Sequence, residues 1–410
     1  NTDRIRRALG QALRANPQLM AKFGVDSTGR FTQTFPISAI DMDEISIHEV
    51  ASAQEARKIC WMKAAVPFNL EEGPAIAVDE IRINGYSTWF VLTMNEILID
   101  GWGAMKFMEQ LISLFKCRNM DDQEIEVKTA MTSVLEYFQH LSKPKEISAE
   151  ARKFWSKSLD GVKSCFPLRD TLNSSCDPYA ASVIEVSLDD EATAEIRSTA
   201  HALSTSPFAV FVAAYSLALA AVSDQHDFVV GAPVAGRNDE YEIGVPTLML
   251  NMIAIRTRID VEKKISDTVR SMISNVTEAV SFGDSVFSKV VSEFADHTNE
   301  DPLFSTMVNM LTYPSLEFWD GDRSLHLTEL NTGFTKYDAS LYIQRHGEDY
   351  TLQLAYKVAY VTPERANKVL ALTAWFLTSD WLSGKTTVAN AIKTALNDCD
   401  TSQITMLKSY

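Results

Sequence analysis

The residues of this chain that could do chemistry converge on one short stretch, NEILIDGW, Asn95 to Trp102. A β-type run, YSTWFVLTM, leads into it, and a helical pattern follows. A rigid strand aims a side chain and a turn leaves it open, so such corners commonly carry function. The side chains at this corner are an amide, Asn95, and a carboxylate, Glu96. An imidazole there could take a proton from an ammonium and donate one toward a developing oxyanion. A glutamate, with a reference pKa of about 4.3, accepts but does not donate near neutrality, and Asn95 cannot serve as a base. Asp100 is placed to cap the next helix or pair with a cation, and Gly101 to give the corner its backbone freedom.

Other chemical candidates are scattered. The seven histidines lie apart in polar surroundings, and no GxSxG, Walker, GxGxxG or HExxH pattern occurs. GKTT at Gly384 lacks the earlier glycine of a phosphate loop and reads as a helix start. Cys60, Cys117, Cys165, Cys176 and Cys399 are odd in number and never at metal-ligand spacing. A reduced, cytoplasmic chain is expected from them, without a structural metal or a cofactor. A net charge of −16 argues against nucleic acid or an anionic membrane as partner. The longest apolar run, Phe208 to Val222, falls short of the roughly 20 residues a membrane span needs; with Ser204, Thr205, Ser206 and Pro207 before it, it reads as a buried helix.

The elements that must position the corner can be read around it. A length of 410 residues implies two or three domain-sized units. Ile5, Leu9, Leu13 and Leu19 recur near helical spacing, with Pro17 interrupting. FTQTFPI, AIAVDEIRI and STWFVLTM read as strands, GAMKFMEQLISLF and ISAEARKFWSKSLDGV as helices. FPLRDTLNSSCDPYA is the best linker candidate. Beyond it, SVIEVSLDD, DFVVGAPVAG, MLNMIAIRTRI and STMVNMLTY are strand-like, and HGED joins a hairpin within ASLYIQRHGEDYTLQLAY. EATAEIRSTAHAL, the run at Phe208, Ile265 to Ala279 and PERANKVLALTAWFLTSDWL read as helices. Helices and strands mingle in both halves, so the expected class is α/β (α+β), with two lobes at residues 1–168 and 181–410 joined by a linker at 169–180. The chain opens at Asn1 directly in a helical pattern and looks cut from something longer, with no signal peptide in view.

At this point the chain resembles the condensation domains of non-ribosomal peptide synthetases. Their hallmark is HHxxxDG, and NEILIDGW matches its Asp and Gly but neither His. The likeness extends further: ALGQALRANPQLMAKF is similar to the family's first helix, PFNLEEGPAIAV to its PFDL…GPL segment, and ARKFWSKSLDGV to its YW…LAG helix. FVVGAPVAGRNDEYEIGVPTLMLNMIAIRTRI resembles VGTPVAGR…IGFFVNTLPLR; HTNEDPLFSTMVNM resembles R…SRNPLFQVMF; KYDASLYI resembles FDLTL. The resemblance implies a V-shaped pair of chloramphenicol-acetyltransferase-like lobes, with a tunnel between them open to a carrier protein at each end. It implies as partners peptidyl carrier domains bearing phosphopantetheine, whose thioesters the family joins into an amide. It assigns the catalytic positions to Glu96 (second His) and Asn95 (first His), and a structural salt bridge to Asp100, with Arg237 or alternatively Arg256 as its partner. Gly101 completes the motif, and Trp102 and Asn251 are expected along the tunnel.

The departure from the motif has a size. A carboxylate about 4 Å from a forming oxyanion raises that state by about 4 kcal/mol at an effective dielectric of ~20, roughly a thousandfold in rate. A fold kept while its catalyst is lost suggests a docking platform. Two subgroups have altered motifs: the recruiting (X) domain of glycopeptide assembly lines, which docks a haem monooxygenase, and the interface domain of siderophore synthetases, which docks an iron-dependent hydroxylase. The alternative is a divergent domain that still forms amide bonds, by holding its tethered substrates together or through a protonated Glu96.

Overall fold

The structure is a computed structural model, and it describes residues 2–35, 40–117, 119–141, 146–170, 172–295, 302–311, 317–320, 323–326, 330, 332–378 and 384–407. Helices are α1 (Thr2–Ala15), α2 (Ala53–Ala64), α3 (Gly101–Lys116), α4 (Met120–His140), α5 (Ala149–Leu159), α6 (Asp190–Ala202), α7 (Pro207–Ser223), α8 (Glu240–Ile243), α9 (Ile265–Ser281), α10 (Phe287–Phe294), α11 (Pro363–Thr378) and α12 (Val388–Asp398). Strands in the first half are β1 (Lys22–Val25), β2 (Phe31–Thr34), β3 (Ser46–Val50), β4 (Ile76–Ile83) and β5 (Ser87–Met94). In the second half they are β6 (Ala181–Ser187), β7 (Asp227–Val234), β8 (Asn251–Arg258), β9 (Thr306–Leu311), β10 (Glu317–Asp320), β11 (Arg323–His326), β12 (Ala339–His346), β13 (Asp349–Lys357) and β14 (Thr405–Leu407).

Two hydrophobic cores organise these elements. In the first, Ala8, Leu9, Ala12 and Leu13 of α1 share one buried face, as helical spacing demands. They meet Phe107, Leu111 and Leu114 of α3, Ile76 and Val78 of β4, and Val127 of α4. Proline at position 17, which cannot continue a helix, follows the end of α1 and begins a single 3-10 turn, Pro17–Met20. β3, β4 and β5 form a three-stranded sheet, parallel between β3 and β4 and antiparallel between β4 and β5.

The second core is larger. Its sheet runs β14-β6-β13-β12-β9-β7-β8, parallel at β12/β9 and β9/β7 and antiparallel elsewhere. α7 is buried around most of its circumference, starts at Pro207 and packs with α11 and α9 over this sheet. The HGED turn closes the β12/β13 hairpin with Gly347 at φ +63°. Thr387 caps α12 by accepting from Asn390 N, so GKTT is a helix start. Phe154, Trp155 and Leu159 of α5 bury themselves in this second core although they precede the linker candidate in the chain. Arg169 at the start of that linker is held by Asp338, with Nε–Oδ2 at 2.7 Å.

α2 and α4 are helices that the sequence reading passed over. α4 hides only Gln123, Val127, Val134 and Tyr137, while Ile125 and Leu135 face solvent, so its apolar pattern is broken. The ends of three expected elements, at Pro36–Ile37, Thr312–Tyr313 and Ser379–Leu382, lie outside the described residues. Among the described residues, no single helix is long and apolar enough to cross a membrane.

Candidate functional site

The corner is built by ordinary local chemistry. β5 ends at Met94, and Asn95 then ties the turn down: its N–H donates to Ala75 O at 2.9 Å. Its Oδ1 accepts from Ile97 N at 3.0 Å, and its carbonyl accepts from Leu98 N at 3.0 Å. Leu98 and Ile99 drop into the first core, which leaves Glu96 facing outward. Asp100, extended at φ −97° and ψ 175°, caps α3 through Gly103 N→Oδ1 at 2.7 Å. Gly101 begins the helix and does not adopt a left-handed conformation. The glycine whose missing side chain matters is Gly103, where a Cβ would sit 2.7 Å from Thr247 O and 2.9 Å from Thr247 N.

That closeness arises because residues 243–250 cross from the second half of the chain onto the corner. The other carboxylate oxygen of Asp100, Oδ2, accepts three bonds: from Arg237 Nη1 at 2.8 Å, Met249 N at 2.8 Å and Leu250 N at 2.9 Å. Arg237 Nη2 donates to Thr247 O at 2.8 Å. Both charged side chains are only 3 % exposed, so the pair depends on the hydrogen bonds of Asp100 and of Arg237 Nη1 and Nη2, while Arg237 Nε is buried without a partner among the described residues. Gly236, at φ +64°, lets this loop pass under Met249, whose carbonyl would lie 1.9 Å from any Cβ there. Leu248 N donates to Leu98 O, Gln18 Nε2 to Pro246 O at 2.9 Å, and Trp102 Nε1 to Ile243 O at 3.2 Å. Beside them Tyr241 stacks on His140 at 4.4 Å, and Val245 joins Val134 and Tyr137. Burial, helped by the Glu242 carboxylate, pushes the Tyr137 phenol up to about 12.

Other candidate residues are spent elsewhere. Arg256 pairs with Asp227, Nε–Oδ1 and Nη2–Oδ2 both at 2.7 Å, and donates to Ser158 O and Asp160 O, so it anchors the end of α5 rather than reaching Asp100. Asn251 holds the turn between α9 and α10: its Nδ2 donates to Gly283 O at 2.8 Å and Ser285 O at 2.6 Å, and its Oδ1 accepts from Phe287 N. Trp102 carries Lys106 Nζ 5.4 Å from its ring centroid. Among the described residues, no three His, Cys, Asp or Glu side chains gather as a metal site would require.

Glu96 is exposed at the corner. Among the described residues no hydrogen bond or ion pair holds its carboxylate, yet it influences Tyr337, just ahead of β12. Burial first, then the Glu96 charge and Tyr342, push that phenol above its usual value. Tyr337 packs on Phe304, centroids 5.4 Å apart, and Lys336 Nζ lies 5.8 Å from its ring. Sequence reasoning used KYDASLYI only as a likeness and did not single out Tyr337. It also missed Gly103, Gln18 and Thr247, whose roles depend on contacts far apart in the chain.

Fold and site together define a two-lobed protein of the chloramphenicol-acetyltransferase type, its corner motif clamped by a cation from the opposite lobe. The chain belongs to the condensation-domain family, since the Condensation domain model matches residues 1–370. It is 23% identical over 309 residues to a plipastatin synthase of Bacillus subtilis (strain 168), covering 75% of this chain and 8% of that protein. A four-domain nonribosomal peptide synthetase bound to AMP and glycine superposes with a TM-score of 0.76 at 13% identity, over 95% of this chain and 30% of that one. The X-domain from teicoplanin biosynthesis superposes with a TM-score of 0.71 at 13% identity, over 98% and 90%. The chain thus spans less than a sixth of the first curated relatives it matches, being 6% of a linear gramicidin synthase of Brevibacillus parabrevis and 14% of another plipastatin synthase subunit.

Proposed function

We propose that this condensation-family domain does not form peptide bonds. It serves a synthetase in the cytoplasm as a platform, receiving a phosphopantetheine-borne amino acid or peptide from a carrier domain and docking a trans-acting tailoring enzyme. That enzyme is a haem monooxygenase or an iron-dependent hydroxylase. The observation that carries this reading is Glu96: a carboxylate, held by no partner among the described residues, stands where the family places its second His. A carboxylate beside a forming oxyanion opposes it, whereas the Asp100–Arg237 clamp retains the architecture. That intact clamp also supports the second reading, a divergent domain that still joins two carrier-bound thioesters by holding them together.

The docking role is tested with an aminoacylated carrier and a purified haem monooxygenase or iron-dependent hydroxylase that acts on carrier-bound amino acids. Oxidised aminoacyl carrier should form at least tenfold faster when the domain is present. Equal rates with and without it contradict the platform.

A further inference from the structure

Lys357, the last residue of β13, is only 8 % exposed, and no other lysine among the described residues is buried as deeply. Its backbone is engaged: its N–H donates to Asp338 O at 2.9 Å, and its carbonyl accepts from Tyr360 N and Val361 N. Its ammonium has no hydrogen-bond or ion-pair partner among the described residues. By contrast, Lys63 has Asp79 at 2.8 Å and Lys368 has Leu396 O at 2.9 Å. Two ring faces stand around Lys357 Nζ instead, Tyr179 at 5.1 Å and Tyr360 at 5.6 Å to their centroids. Tyr179 is itself more than half exposed, so the amine lies just beneath the surface. Asp338 is committed elsewhere: Arg169 Nε donates to its Oδ2 at 2.7 Å and Nη2 to its Oδ1 at 3.3 Å. Arg169 also lies over Tyr360, its Cζ 4.6 Å from the centroid, so two cations share one ring and one carboxylate. Burial without an acceptor, beside a second cation, favours the neutral amine over the ammonium, and the ring faces offset part of that.

We infer that Lys357 is a nucleophilic lysine, a modification site that takes its acyl group from small acyl thioesters. The free-base Nζ attacks the thioester carbonyl carbon; an N–C bond forms, the C–S bond breaks, and the thiol leaves with the proton that Nζ gives up. The amide that remains is uncharged, so acylation removes the one cation of this cluster that has no counter-charge. Burial, and to a smaller degree the Arg169 charge, already hold the amine below the usual lysine value against the pull of Asp338. The inference goes beyond the platform reading and does not depend on it, because it needs a thioester but neither condensation nor a docked enzyme.

The probe is S-acetylpantetheine, incubated with the whole domain near neutral pH, with the acetylation rate of each lysine followed by peptide mass spectrometry. Lys157 and Lys163, both exposed, serve as internal standards. Each unit by which an amine is lowered yields about tenfold more free base and costs about threefold in nucleophilicity. Lys357 should therefore acetylate about threefold faster than either standard, or more. Arg169→Gln removes the second cation and frees Asp338 to pair with Lys357, so it should erase that lead. The wild-type comparison needs no variant, so it decides the matter even where Arg169→Gln does not fold. A smaller lead in the wild type, or none, overturns the inference, as does an undiminished lead in a folded Arg169→Gln domain.

Discussion

Asp100 and Arg237, 137 positions apart in sequence, meet at 2.8 Å with both side chains almost wholly buried. Their pairing joins the helix start that carries the motif to the loop that follows β7. Because Asp100 also caps α3 and accepts from Met249 and Leu250, one carboxylate couples local helix geometry to the docking of the crossing segment.

Replacing Asp100 by Asn should therefore cost more than a cap. Whichever way the amide turns, its NH2 group faces a backbone N–H, and Arg237 loses its counter-charge in a buried setting. A destabilisation of about 3–5 kcal/mol is expected, as for other broken buried pairs, measured by chemical denaturation. Asp100→Ser retains a capping oxygen for Gly103 and should be no more stable than Asp100→Asn if the clamp, rather than the cap, dominates.

Gly103→Ala puts a methyl group within 3 Å of two backbone atoms of Thr247 and of Ile99 Cγ1. Backbone cannot rotate away as a flexible side chain can, so the crossing segment must shift. A loss of about 1–3 kcal/mol is expected, together with a changed envelope in small-angle X-ray scattering. Gly101→Ala, two residues earlier with ordinary helical backbone, should be mild by comparison.

Glu80 ties α1 to β4. Burial alone would raise its carboxyl, but hydrogen bonds from Arg6 and Arg82 and their charges hold it below the usual range. A carboxylate lowered on folding stabilises the protein above its unfolded value, and that contribution is lost as pH falls through the folded value. Wild-type stability should accordingly decline from about pH 5 downward. Glu80→Gln should be about 2 kcal/mol less stable at neutrality and show a flatter acid limb, read from denaturation midpoints across pH.

The strongly periodic elements were legible in the sequence. The face of α1, the all-round apolar α7 and the HGED hairpin each carry their own signal within a dozen or so residues. The strand–turn–helix corner was legible for the same reason, down to the capping role open to Asp100. α4 was not, because its exposed Ile125 and Leu135 blur the buried face set by Val127 and Val134. The burial of Trp155 in the second core, the approach of Thr247 to Gly103 and the packing of Tyr337 on Phe304 depend on contacts between distant segments. No local pattern encodes such contacts. Arg256 illustrates the limit: its residue type suited a partnership with Asp100, but the register of β7 against β8 sets it across from Val229, near Asp227 at the strand end.

We propose that the Glu96 carboxylate stands in place of a proton shuttle. The most direct test loads one carrier with a donor aminoacyl group and another with an acceptor, adds the domain, and measures dipeptidyl thioester by mass spectrometry. A histidine-bearing condensation domain is assayed beside it on its own carriers. Dipeptide should form no faster than the carriers give by themselves. Dipeptide formed at the comparator's rate would contradict it.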